Sequence, residues 1–576
     1  MLNSVRSWRY KIILALIVFF GGFFAMWGAD YGLPVVLHPN EWTIVEPAVR
    51  MVENRTLIPD VFYRPDHLLI IINSIIYRVM AVFFGVEVAD IGNGRLYLAA
   101  RLLTGLFAVG SILVAYITGK RYAAGNKEDD AVGKRIGLVC AFLFAFLPIY
   151  VREAHYATPD IPTVFFMLLF IYVSLGYMQR PNLQNILLMS AVTAGFITIK
   201  YPGAILVGMI ALCVLATSIR DSNSRRFFSH GFFAGGGLLA ATFIISPILF
   251  IRFHEVYDAL VAEARDTHLG YDGLGWFGNI WYYFTTYVAY SGVIFLVFLA
   301  IGIYAIFQKR TDDVSVSEPT PEQSPEEKKE PEKSGFAGFL RNNPQIMTAL
   351  PILSGFAFWV ALSYMSLHWE RWALPMYVSP LLISGIGVVK GYDFIKSQTF
   401  FTKRRRLCTG IFAAILAFSG LNLISGSAAN MTEFLLPDTR IVSRDFAEAN
   451  NITPDNTLYE NYTTFEITFH GDALVLYRAF DRVGETFNFR YDHIDYIIIS
   501  SNMYNRYRAE PERYAQQIEI YEFVAENFLE IKRFEVAYRN NSVIDIINIF
   551  RNISYLICAA NNGMSGHTLI FYEIPT

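Results

Sequence analysis

Apolar residues in this chain come in long unbroken runs rather than in short alternating patterns. A helix needs about 20 predominantly apolar residues to cross a bilayer. Runs near that length lie at about 12–27, 96–118, 136–151, 161–178, 185–199, 202–219, 231–251, 281–307, 345–366, 373–389 and 407–427. The pattern predicts about eleven transmembrane helices. Residues 1–11 are basic and the first run lacks a small-x-small cleavage site, so it reads as an uncleaved signal anchor with the N-terminus in the cytoplasm. From that start, the loops holding Lys120, Arg121, Lys134 and Arg135, then Arg220, Arg225 and Arg226, then Lys403, Arg404, Arg405 and Arg406 fall on the cytoplasmic side, as the positive-inside rule requires.

Three segments break this rhythm. Residues 67–85 are apolar enough to span, yet counting them would invert every later loop, and they carry Asn73 and Arg78. They are read as an interfacial or re-entrant helix inside a long first external loop, 30–95. Residues 311–334 are rich in Pro, Glu, Lys and Ser and have too little apolar surface to offset the entropy of ordering, which makes them a disordered cytoplasmic linker. After about residue 428 no further span follows. Strand-like runs at 473–480, 495–500, 531–536 and 568–574 surround a helical stretch at 511–528. The expected fold class is an α-helical polytopic membrane protein, residues 1–428, carrying a C-terminal extracytoplasmic α/β domain, residues 429–576.

Composition narrows the function classes. Of 576 residues, 54% are hydrophobic and 17% charged, against about 25% charged in soluble proteins. A formal net charge of −3 argues against a nucleic-acid partner. Cys140, Cys213, Cys408 and Cys558 are scattered and spell neither a disulfide framework nor a metal cluster.

The external loops can be read as a set, and their ionisable residues are not spread evenly. The first holds His38-Pro39-Asn40-Glu41, Glu46, Arg50 and Tyr63-Arg64-Pro65-Asp66; the second runs from Arg152-Glu153 through His155-Tyr156 to Pro159-Asp160. Lys200-Tyr201-Pro202, Arg265-Asp266-Thr267-His268 and His368-Trp369-Glu370-Arg371 complete the set. Charges at span ends are costly unless they are paired or serve a wet site. Carboxylates and cations on one face suit a phosphate-bearing substrate, with cations clamping the phosphate and a carboxylate acting as base. The competing reading is a set of loop residues pairing with one another in water.

The order of these motifs resembles membrane glycosyltransferases of the C-type (GT-C) superfamily. Family 39, which includes protein O-mannosyltransferases and bacterial aminoarabinose transferases, is the most similar. The resemblance covers roughly residues 12–427 and rests on His38-Pro39-Asn40-Glu41, Tyr63-Arg64-Pro65, Tyr156-Ala157-Thr158-Pro159-Asp160, Lys200-Tyr201-Pro202-Gly203 and Glu370-Arg371-Trp372-Ala373-Leu374-Pro375. It implies transfer of one sugar from a polyprenyl-phosphate donor to a lipid, glycan or protein acceptor on the extracytoplasmic face, with inversion. A first-loop carboxylate would act as base, and cations, joined in some members by a divalent cation, would stabilise the leaving phosphate. It also implies a bacterial or archaeal plasma membrane.

The family's first loop usually reads Asp-Glu, where this chain has Asn40-Glu41. Asn has no titratable carboxyl, so Glu41 is favoured as base with Asp160 assisting. The resemblance gives Asn40, Arg64, Lys200, His268 and Arg371 to substrate and donor phosphate. Arg64 stands where relatives place a Lys, keeping the charge and adding a bidentate fork. His268 reads equally as an interfacial histidine bonded to backbone. The prenyl tail requires a groove, with 96–118 and 231–251 as candidate walls. The C-terminal domain lacks a nucleotide-binding glycine loop, in keeping with a lipid-linked donor. Two rival readings stand beside this one. A polytopic transporter is opposed by the lack of an internal repeat and by charges at span ends rather than mid-membrane; a catalytically silent relative that binds the lipid-linked substrate is kept open by Asn40.

Overall fold

The structure is a computed structural model that describes residues 2–61, 66–263, 274–308, 336–365, 368–398, 404–467, 475–483, 486–491, 493–536 and 541–575. The expected linker at 311–334 lies outside the described residues. Each apolar run contains helix. In chain order these are α1 (Leu2–Met26), α2 (Trp42–Glu53), α3 (His67–Phe84), α4 (Asn93–Gly125), α5 (Asp130–Phe146), α6 (Pro148–Glu153), α7 (Asp160–Gln179), α8 (Leu183–Ile197), α9 (Ile205–Arg220) and α10 (Ser224–Ile245). They continue as α11 (Ile248–Ile251), α12 (Phe253–Glu263), α13 (Trp276–Ser291), α14 (Ile294–Phe307), α15 (Phe336–Asn342), α16 (Pro344–Ile352), α17 (Ser354–Leu362), α18 (Val378–Ser397) and α19 (Arg405–Glu433). Outward faces expose Phe19, Leu106, Phe232 and Ile411, side chains that hydrocarbon solvates and water does not. The bundle is that of a multi-pass membrane protein. Small residues let its helices close up: a Cβ on Gly387 of α18 would meet the Phe298 carbonyl of α14 at 1.9 Å.

Among the described residues, eight helices are long and apolar enough to cross a membrane, or up to ten if two bent pairs each count as one span. The expected eleven differ for physical reasons. α5 has 17 residues and carries Asp130, Lys134 and Arg135 near its start; α8 has only 15. The run 281–307 is no single rod, because α13 and α14 meet at 109°. α13 lies along one face: Asn279 near its start donates to the Met365 carbonyl at 2.8 Å, and Tyr290 at its end donates to Glu370 at 2.7 Å.

Helix-end contacts sort into two faces. On one, Arg135 donates to both Asp393 oxygens at 2.7 and 2.9 Å and Arg341 to the Arg220 carbonyl at 2.6 Å. On the other, the ends of α6, α8 and α19 and the start of α7 border a cavity. α3, counted among the eight by length and composition, has both ends on the cavity face. Leu68 donates to the Thr198 carbonyl after α8 at 3.2 Å, Tyr77 to the Leu96 carbonyl in the first turn of α4 at 3.1 Å, and Arg95 lies 5.1 Å from the Phe84 ring.

α19 runs on through residue 428 to Glu433 before the chain enters a small mixed sheet of order β1-β4-β6-β5. Its strands are β1 (Thr457–Tyr459), β4 (Tyr496–Ser500), β5 (Leu529–Phe534) and β6 (Leu569–Glu573), with β1 parallel to β4 and the other pairs antiparallel. A hairpin, β2 (Phe480–Val483) and β3 (Thr486–Phe489), stands apart. The helices of this region are α20 (Thr439–Ala449), α21 (Val475–Arg478), α22 (Ser501–Arg508), α23 (Ala515–Asn527) and α24 (Asp545–Ala560), the last of which packs on α19. The strand expected at 473–480 is largely helical, α21, with only Phe480 in β2. Residues 473–474 lie outside the described ones.

Candidate active site

A cavity of about 1390 Å³ opens between the helical part and the C-terminal domain. The first loop enters it through a tight turn, in which Thr43 Oγ1 donates to the Asn40 carbonyl at 2.7 Å just as α2 begins. This turn points Asn40 into the cavity, where its amide oxygen accepts from Nη1 and Nη2 of Arg371 at 2.7 and 2.8 Å. Arg371 comes from a 3-10 turn, Glu370–Ala373. A neutral amide holds the guanidinium without cancelling its charge.

The structure does not bring Glu41 to that cavity. Its side chain is wholly buried, accepting from Arg101 Nε and Nη2 at 2.8 Å each and from the Ala157 amide at 2.8 Å. Arg101 Nη1 is spent on the Ala29 and Tyr31 carbonyls at 2.9 and 2.8 Å. Glu41 thus joins the end of α1, the first loop, α4 and the loop before α7. That pairing clamps these segments together and turns the carboxylate away from solvent.

Asp160 opens α7 and is 3% exposed; Lys200 Nζ donates to it at 2.8 Å. Lys200 faces the cavity, as does Trp372, whose ring centroid is 5.8 Å from Nζ. Asp160 therefore acts on the cavity through Lys200, which it holds in place and partly neutralises. Arg64 and His268 lie outside the described residues. Of the seven residues expected at the site, the structure brings Asn40, Lys200 and Arg371 to the cavity wall, puts Asp160 immediately behind it and buries Glu41 elsewhere.

Four carboxylates that the sequence reading left unassigned line the cavity: Asp66, Glu153, Glu433 and Asp438. Glu153 ends α6, the short helix started by Pro148, and one of its oxygens accepts from Arg152 Nε at 2.8 Å. Its other oxygen has no hydrogen-bond partner among the described residues. Burial pushes its pKa up more than Arg152 pulls it down; the charge of Asp160 adds to the rise and that of Arg371 opposes it. Arg152 is itself fixed by Tyr290 at 2.9 Å and Glu370 at 3.2 Å. The signal for Glu153 was its place in the loop between two expected spans, but only the fold shows which of the loop's two carboxylates faces inward.

The C-terminal domain closes the cavity from the far side with Arg506, His567, Asp438 and Arg440. Arg440 is saturated, gripping Asp438 through Nε and Nη2 at 2.8 Å and donating to the Leu37 carbonyl at 3.0 Å. It fastens the domain to the first loop. Arg506 lies 5.9 Å from the Trp369 ring and 5.3 Å from the Tyr462 ring. Nothing local in the sequence points to either residue, since the sheet brings them there. The apolar wall is made by Phe196, Leu260, Phe358, Leu362 and Met365. None of these falls in 96–118 or 231–251, the two runs expected to line a lipid groove. Among the described residues no three His, Cys, Asp or Glu side chains stand close enough to hold a metal.

The profile of the family described as dolichyl-phosphate-mannose-protein mannosyltransferase matches residues 79–251. No curated protein matches the chain in sequence. Among solved structures, the archaeal oligosaccharyltransferase AglB from Archaeoglobus fulgidus, in complex with an inhibitory peptide and a dolichol-phosphate, is similar over 99% of this chain and 89% of its own, at 9% identity and a TM-score of 0.52. ArnT from Cupriavidus metallidurans bound to undecaprenyl phosphate aligns over 77% of this chain and 73% of its own, at 14% identity and a TM-score of 0.42. The S. cerevisiae protein O-mannosyltransferase complex bound to the sugar donor aligns over 43% and 34%, at 16% identity and 0.32.

Proposed function

We propose that this chain, which has the GT-C fold of membrane glycosyltransferases, transfers a single sugar from a polyprenyl-phosphate donor to an acceptor hydroxyl with inversion. The observation that carries the reading is one cavity that joins two cations, Lys200 and Arg371, a carboxylate with an oxygen unengaged among the described residues, Glu153, and an apolar wall. The dolichol-phosphate bound in the AglB structure supports a lipid-phosphate donor here. With the basic loops in the cytoplasm, the cavity and the sheet domain face outward across the plasma membrane.

In this reading the donor's prenyl tail runs along Phe196, Leu260 and Phe358, and its phosphate meets Lys200 and Arg371. Trp369, Trp372 and Tyr156 offer rings to the sugar. The acceptor oxygen attacks the anomeric carbon from the face opposite the phosphate, and its proton passes to Glu153 rather than to Glu41. As the glycosidic C–O bond to phosphate breaks, the electron pair stays on the phosphate oxygen, where the two cations stabilise the gathering charge. Asp160 keeps Lys200 aimed, and Asn40 keeps Arg371 aimed.

The test is transfer from radiolabelled polyprenyl-phosphate sugars in proteoliposomes of the purified chain, with cell-envelope lipid and protein as acceptors. Donor-dependent labelling that falls to background in Glu153→Gln is the expected result. Absence of transfer by the wild type across common sugars, or undiminished transfer by Glu153→Gln and Lys200→Met, would overturn the reading.

A further inference from the structure

We infer that the outward face of α24 lies in the lipid of the cavity-side leaflet, so that the C-terminal domain is embedded in the membrane rather than suspended above it. α24 is amphipathic in reverse. Its inward side carries Asp545, Asn548 and Asn552, all under 5% exposed, together with Ile549 and Tyr555. Its outward side carries Ile546 at 50% exposure, Phe550 at 67%, Ile553 at 43% and Ile557 at 58%. These four positions, spaced four, three and four residues apart, form a single stripe. A helix of a water-borne domain turns its stripe the other way, since large apolar side chains gain from leaving water.

The polar side is inward because it docks on the helical part. Asn552 Nδ2 donates to Ser425 Oγ of α19 at 3.1 Å, Asn548 Nδ2 to the Ala289 carbonyl of α13 at 3.3 Å, and the Val293 amide to the Val543 carbonyl at 3.2 Å. The stripe continues a surface already assigned to lipid. Beside it, Val293 just before α14 and Val297 on α14 are exposed, as are Leu421 and Ile424 on α19. Depth agrees as well: Ser425 lies eight residues before Glu433, the end of α19, or about 12 Å along the axis at 1.5 Å per residue. At that depth the neighbouring spans face acyl chains, and the occupant that suits α24 is the same bilayer.

The experiment uses the full chain with Cys408→Ser and Cys558→Ser, reconstituted in phosphatidylcholine vesicles. A nitroxide is placed at Phe550→Cys or Ile557→Cys, with Asn561→Cys beyond the helix end as the reference. Oxygen, which concentrates in hydrocarbon, should relax the labels at 550 and 557 more than a water-soluble nickel chelate does, with the order reversed at 561. A label-free arm reads the same surface: the added fluorescence of Phe550→Trp should be quenched by lipids brominated in the acyl chain and not by acrylamide. Nickel or acrylamide access at 550 would place the stripe in water. Protection from both oxygen and nickel would mean that a second copy or another protein covers it. Either result overturns the inference.

Discussion

Arg101 grips Glu41 through two 2.8 Å hydrogen bonds, and neither side chain has any exposed surface. Removing one partner of a buried pair leaves an uncompensated charge and costs about 3–5 kcal/mol, whereas replacing both by apolar groups is often neutral. Glu41→Gln should therefore lower the yield of monodisperse protein and its melting temperature, and Glu41→Gln with Arg101→Met should restore much of both. Size-exclusion profiles and thermal melts in detergent check this. A Glu41→Gln protein that folds normally yet has no turnover would return Glu41 to the role of base.

Glu153 has the reverse signature. Because burial raises its pKa, the folded chain holds this proton to a higher pH than the unfolded chain does, and above that point the ionised carboxylate weighs against the fold. Glu153→Gln should keep or raise the melting temperature at neutral pH while lowering transfer by about 100-fold or more, the usual range for loss of a general base. In the wild type the acidic limb of the rate profile should lie above the ordinary glutamate value of about 4.3, rising as pH increases and the base is freed. That limb disappears in Glu153→Gln.

These two residues show what a sequence reveals and what it hides. Both were visible as carboxylates in external loops, yet they part company through Arg101, which sits 60 positions from Glu41 inside the apolar run 96–118. A cation within such a run demands a partner. Pairing it with Glu41 rather than Glu153 needs the three-dimensional path of α4. The helical body was legible because crossing a bilayer imposes a long, simple pattern. The bend between α13 and α14 was not, since 281–307 is apolar on both sides of Gly292. In the C-terminal domain β1 has only three residues, too few for any alternation. α24 escaped notice because its polar face is its buried one.

Asn40 offers a direct probe of donor binding. Its amide oxygen already sits 2.7 and 2.8 Å from the Arg371 nitrogens, so Asn40→Asp inserts a carboxylate at ion-pair distance with little rearrangement. Pairing would neutralise Arg371 and weaken its hold on an incoming phosphate. The expected outcome is a KM for the polyprenyl-phosphate donor higher by about tenfold, equivalent to about 1.4 kcal/mol, with a smaller change in kcat. A lower KM in steady-state assays would reject this role for Arg371.

The C-terminal domain carries its own pH dependence through Glu460. This buried carboxyl, bonded to Tyr521 and to the Ser500 amide, is pushed up to about 7 by desolvation. The folded domain keeps its proton between about 4.3, the unfolded value, and about 7, where the unfolded chain has lost it. Stability from this group is full below the unfolded value and declines as pH rises through that window. Melting temperatures of the wild type should fall from pH 5 to pH 8, and Glu460→Gln should flatten the slope whatever its effect on the absolute value.

The two parts of the molecule approach closely at Gly292, where α13 turns into α14. Its φ of +94° is a conformation that favours glycine, and a Cβ there would lie 2.4 Å from a carboxylate oxygen of Asp545 at the start of α24. Asp545 lies against the amides of Val293 and Ile294 at the amino end of α14, where a helix dipole favours negative charge. Gly292→Ala meets both obstacles at once, backbone strain of about 1–3 kcal/mol and a collision that only movement of α24 relieves. Asp545→Asn removes the charge and keeps the shape, so it should cost less. Limited proteolysis should release a C-terminal fragment fastest from Gly292→Ala, more slowly from Asp545→Asn and slowest from the wild type. Because Arg440, Arg506 and His567 reach the cavity only when the domain is docked, transfer activity should decline in the same order.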